Sequence, residues 1–170
     1  VAFFWKVAAG GDAAPAFTST TSGTTVMTCT LYELAGGNTA NPVDTSGTNS
    51  GTALAVTVTT SGNVSSAGSY AIGLFGYRPS TSVTITWTPG TGFTNDVNDG
   101  ATASRFHSAQ DHATSAPAAG AALSESVTWS AGTPQNTSSM IAVFGPAVTA
   151  AATPAPLVVP QAAVMQAANW

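Results

Sequence analysis

The chain has 170 residues, enough for one domain with its own core and too few for two ordinary ones. Only 6% of them are charged, against about 25% in an average soluble protein, and the net charge is −4 with Lys6, Arg78 and Arg105 as the only basic chains besides His. Such a chain lacks the clustered cations that a nucleic-acid backbone requires, and no apolar run approaches the ~18 residues of a membrane helix, so neither nucleic acid nor membrane is an expected partner. Solubility must rest on its 27 Thr and 18 Ser, which together with 17 Gly favour strands and turns over helix.

In chain order, residues 2–8 put Phe3, Trp5 and Val7 on one face with Lys6 opposite, and a short strand is expected at 17–20. Residues 26–34 are apolar on both faces, as in a central strand. Cys29 lies within that run as a small buried hydrophobe, and as the single cysteine it has no intrachain disulfide partner. Residues 52–60 alternate Leu54, Val56 and Val58 against Thr57 and Thr59. Residues 70–77 are again apolar on both faces, 82–88 alternate Val83, Ile85 and Trp87 against threonines, and a weaker strand is expected within 101–113. Residues 124–130 set Val127 and Trp129 opposite Ser126 and Thr128, and 140–144 form a last apolar strand. Gly, Asn, Asp, Ser and Pro punctuate the intervals, including Ser46-Gly47-Thr48-Asn49 and Asn98-Asp99-Gly100.

Many short strands without helical alternation predict an all-β fold, an antiparallel β-sandwich of jelly-roll type over residues 1–146. Beyond it, Pro146, Pro154, Pro156 and Pro160 exclude a regular helix or central strand before residue 161. Residues 147–170 therefore read as an extended Pro/Ala-rich C-terminal arm. Composition alone also suits a flexible Pro/Ala linker; an ordered, uncharged arm is expected to lie on its own sandwich or on a neighbouring subunit, with Leu157, Val158, Val159, Val164, Met165 and Trp170 as the expected assembly contacts.

Few residues suggest chemistry. On a strand over 103–113, Arg105, His107 and Asp111 would share one face and His112 the other, but no nucleophile or second acid stands nearby in sequence, so a polar strand is expected and not a hydrolase. Asp96, Asn98 and Asp99, ahead of Gly100, have the oxygen-rich character of a Ca²⁺ loop but lack the bidentate Glu and length of an EF-hand. A plain Asx-rich turn accounts for them, and no metal or cofactor is expected. Trp5, Trp87, Trp129 and Trp170 with Tyr32, Tyr70 and Tyr77 offer either a sugar-stacking platform or core; three of the Trp keep phase with aliphatic neighbours, which favours core.

Several marks together resemble a family of jelly-roll domains in tailed-phage virion proteins, particularly of phages infecting actinobacteria. They are Phe4-Trp5-Lys6-Val7-Ala8 as the opening strand; Tyr32-Glu33-Leu34 with Gly36-Gly37 and Asn41-Pro42-Val43-Asp44; Ala71-Ile72-Gly73-Leu74-Phe75-Gly76; Gly90-Thr91-Gly92-Phe93-Thr94; Ile141-Ala142-Val143-Phe144; and the ending from Val159-Pro160-Gln161 to Trp170. The resemblance implies a non-enzymatic structural protein of the virion, a minor tail or capsid decoration protein. It implies a homo-oligomer, a trimer among the options, in contact with other virion proteins. Members usually begin with a further strand or two; a chain complete at Val1 would leave a sheet that accepts a strand from a neighbour. The alternative expectation is a glycan-binding adhesion module, of a tail fibre or a secreted protein, that recognises host-surface sugar.

Overall fold

The computed structural model describes residues 6–7, 32–130 and 136–148. These contain no helix and fold into eight strands: β1 (Val43–Gly51), β2 (Ala55–Thr59), β3 (Tyr70–Arg78), β4 (Trp87–Thr88), β5 (Phe93–Asn98), β6 (His107–Ala113), β7 (Ser124–Trp129) and β8 (Asn136–Phe144). One sheet has the order β1-β8-β3-β6-β5 and the other β2-β7-β4, with every pairing antiparallel. The pairs β1/β8, β2/β7 and β3/β6 are nested in sequence, as in a long hairpin folded over on itself, with β4, β5 and the turn between them at its closed end.

The alternation expected of each strand determines what lies between the sheets. Val56 and Val58 of β2 and Val127 and Trp129 of β7 face Phe75 and Tyr77 of β3 and Ile141 of β8, and Ile85 and Phe93 complete this core. Trp87 and Trp129 stack in it with ring centres 5.5 Å apart and planes 9° from parallel. On the three-stranded sheet Thr57 and Thr59 turn outward and bond to the hydroxyls of Ser126 and Ser124. The Thr/Ser surface thus forms cross-strand pairs of its own.

Several expectations change. The run 46–49, expected as a turn, is the middle of β1, an edge strand held by its ladder to β8 from Val43↔Phe144 to Gly51↔Thr137. The oxygen-rich run 95–98, expected as a turn, belongs to β5 and carries a bulge between Asn95 and Val97. Conversely, the strand expected over 82–88 shrinks to Trp87–Thr88 plus an isolated bridge from Val83 to Ser104. Its apolar residues still pack inward, but Ile85 N–H donates to the Gly100 carbonyl in a loop rather than to a strand partner. Residues 32–34 carry no strand. The remainder of the 26–34 strand, the 17–20 strand, Trp5, Cys29, and the arm contacts Leu157, Val158, Val159, Val164, Met165 and Trp170 lie outside the described residues.

Candidate functional site

Strand β6 carries the acid and imidazole groups and sorts them by its period of two. His107, Ala109 and Asp111 point between the sheets, opposite Tyr77, Phe75 and Gly73 of β3, while Gln110 and His112 take the other face. Arg105 precedes the strand and is exposed. His107 and Asp111 share the inner face but are four residues apart, roughly 13 Å at strand rise, and each has its own partners. His107 Nε2 lies 3.0 Å from the Val83 carbonyl oxygen, and its Nδ1 lies 3.3 Å from Asp99 Oδ1.

Asp111 has a more unusual setting. Its side chain is fully buried, and its carboxylate accepts the Trp87 indole N–H at 3.2 and 3.3 Å and the Asn95 amide N–H at 2.6 Å. Facing it from β7, in the opposite sheet, is Glu125, 1% exposed. Gly73 is what makes room: a Cβ there would collide with Glu125 Oε2 and come within 2.7 Å of Phe75 Cε2. Neither Glu125 oxygen has an aligned hydrogen-bond partner among the described residues. Burial, then the neighbouring Asp111 carboxylate, push the Glu125 carboxyl up to about 9, against a weaker opposite pull from the Gly90 backbone. Asp111 is also raised by burial, but its N–H donors counteract this and favour its charged form. Burial thus favours the protonated form of Glu125, while the N–H donors on Asp111 favour its anion.

On the outer face, His112 Nδ1 lies 2.6 Å from Asp96 Oδ1, the Tyr32 hydroxyl donates to Asp96 Oδ2 at 2.7 Å, and Tyr70 stacks on the imidazole at 5.9 Å. Burial and the Asp96 carboxylate hold the Tyr32 hydroxyl well above the ordinary tyrosine range. This cluster adjoins a shallow groove of about 560 Å³ at one end of the sandwich, whose walls include Glu33, Ser69, Tyr70, His112, Ser115 and Phe144.

The three oxygen residues considered for Ca²⁺ are engaged separately. Asp96 is held by Tyr32 and His112; Asn98 donates to Asn95 Oδ1 at 2.5 Å and accepts the Gly100 amide at 3.3 Å; Asp99 accepts the Ser108 amide at 2.8 Å. The described residues contain no group of three or more His, Cys, Asp or Glu placed to hold a metal ion. Of the aromatics considered for a sugar platform, Trp129 and Tyr77 are buried and Trp87 half-buried in the core, while Tyr32 and Tyr70 are half-buried beside the groove. Glu125 is not among the residues singled out above, although it shares the phase of Val127 and Trp129 on the inner face of β7, a signal present in the sequence. Comparison of the chain with protein-family models, with curated proteins and with solved structures finds no match.

Proposed function

We propose that this chain is a non-enzymatic structural protein of a tailed-phage virion, a minor tail or capsid decoration protein that assembles with copies of itself through its sandwich and its C-terminal arm. The observation that supports this reading most is the nested pairing of β1 with β8, β2 with β7 and β3 with β6. Nested pairing of this kind is what a jelly roll would require, an architecture used by capsid and lectin domains, and it supports the reading alongside the virion-protein marks in the sequence. The departure is β5, which pairs with β6 in the larger sheet rather than with β4. Asp111 on the inner face is hydrogen-bonded within the protein to Trp87 and Asn95, which is compatible with a domain whose work is to hold shape. Deleting residues 157–170 is expected to abolish incorporation into the particle while leaving a β-rich circular-dichroism spectrum. Normal incorporation of the truncated chain would refute the arm's role.

A second reading, a glycan-binding adhesion module, draws on the groove beside Tyr70 and His112, where an aromatic surface meets Glu33 and serine hydroxyls. The stacking of Trp87 on Trp129 within the core counts against the tryptophan platform expected for such a module. Titration of the full chain with host cell-wall oligosaccharides separates the two readings, since the structural one predicts no saturable binding that Tyr70→Ala removes.

A further inference from the structure

We infer that the two sheets are latched by a single proton held between the carboxyl groups of Asp111 and Glu125, so that the closed sandwich tolerates acid and loosens in alkali. The argument starts from hydrogen-bond capacity. Two ionised carboxylates only accept, so neither satisfies the other, and both of these are sealed between the sheets. Asp111 already has N–H donors from Trp87 and Asn95, whereas the Glu125 oxygens have no aligned partner among the described residues. A proton on Glu125 turns it from an unmatched acceptor into a donor facing the Asp111 anion. Gly73 opposes Asp111 in the β3/β6 ladder and leaves the space that the Glu125 carboxyl occupies.

Among the described residues the Gly90 backbone favours ionised Glu125, but by less than burial and Asp111 oppose it. β3 presents Gly73 and Phe75, β8 presents Ile141, β4 presents Trp87, and β5 presents Asn95, with the further acid Asp96 acting unfavourably on Asp111. On β6 itself, His107 is turned to Asp99 and Val83, and His112 lies on the opposite face with Asp96. Tyr32 feels the Asp111 charge only as a neutral phenol whose ionisation that charge opposes. Lys6, Arg78 and Arg105 are all exposed. A bound cation fits less well than a proton, because the donors aimed at Asp111 present positive hydrogens where a metal ion would sit. The elevated Glu125 titration agrees with this geometry.

The sign follows from linkage. The unfolded chain releases the Glu125 proton near the ordinary value of 4.5, while the folded chain keeps it to about 9. The contribution of Glu125 to stability is therefore fully present below 4.5 and is lost progressively across that interval. Urea unfolding of the full chain at several pH values between 5 and 9, compared with Glu125→Gln, tests this. The unfolding constant of the wild type relative to the variant should rise by up to about tenfold per pH unit, reaching at least about a hundredfold by pH 8. A ratio independent of pH overturns the proposal, as does stabilisation of the wild type by added Ca²⁺ or Na⁺ at pH 8 that Glu125→Gln lacks. Should that variant fail to fold, the Trp87 indole N–H resonance of the wild type decides. It should move with one inflection on the alkaline side; an inflection at pH 4–5 and none above means that Glu125 ionises normally and refutes the latch.

Discussion

Replacing Gly73 with alanine adds one methyl group in the space that the Glu125 carboxyl occupies. Gly73 has no positive φ, so alanine suits its backbone, and the loss of unfolded-state entropy alone would stabilise by about 0.4–1 kcal/mol. Space decides against it. The new Cβ would overlap Glu125 Oε2 and approach Phe75 Cε2 at 2.7 Å, and both of those side chains are only 1% exposed, with no solvent to move into. Overpacking of a dense core costs about 1–3 kcal/mol, and displacing Glu125 from Asp111 adds roughly 1–3 kcal/mol for a buried polar group left unmatched. After the entropic gain, a net destabilisation of about 1–5 kcal/mol is expected by these terms. Urea denaturation followed by tryptophan fluorescence at pH 6 measures it. A double-mutant cycle with Glu125→Ala locates the cause: with the carboxylate gone, Gly73→Ala should lose at least half of its cost. A Gly73→Ala chain as stable as the wild type, or an undiminished cost in the Glu125→Ala background, would refute the reasoning.

Trp87→Phe keeps an aromatic ring against Phe75 and Trp129 but removes the N–H that Asp111 accepts; it should destabilise by about 1–3 kcal/mol, measured by the same denaturation, with a greater loss at pH 8 than at pH 5. Gly92→Ala gives a contrast with Gly73: nothing lies within 4 Å of the added Cβ, but φ is +85°, so the cost should be the backbone penalty alone, about 1–2 kcal/mol, and independent of pH.

How much was legible in the sequence depended on what held each segment in place. Strands that bury a hydrophobic face were visible through their period of two. Val56 and Val58 in β2, and Val127 and Trp129 in β7, lie inward as that pattern requires. β1 was not legible, because its Thr-Ser-Gly-Thr-Asn-Ser run has the composition of a turn and is fixed by backbone bonds to β8, a long-range partner that no local pattern specifies. β5 was missed for a related reason: its Asn and Asp residues have strong local turn preferences, yet Asn95 is drawn inward by Asp111 and Asp96 outward by Tyr32 and His112. The strand expected over 82–88 shows the opposite failure, since correct alternation buried Ile85 without giving it a strand neighbour.

The candidate site was half legible. His107 and Asp111 were placed on a common face, and the structure keeps them there, but separation along β6 assigns each to a different partner. Asp111 finds its partner on a strand 14 positions later in sequence and in the other sheet. A glutamate in the hydrophobic phase of its strand is the sign of such a pairing, and its meaning emerges only when Gly73 is seen to leave the space between them.

The central functional claim is that this β-sandwich-like domain works as one of several copies held together by the C-terminal arm. Sedimentation equilibrium of the full chain, beside a chain ending at residue 156, tests it most directly. The account predicts a discrete multiple of the 16.8 kDa chain mass that dissociates to a folded monomer on truncation; a full chain that stays monomeric at every concentration tested would contradict it.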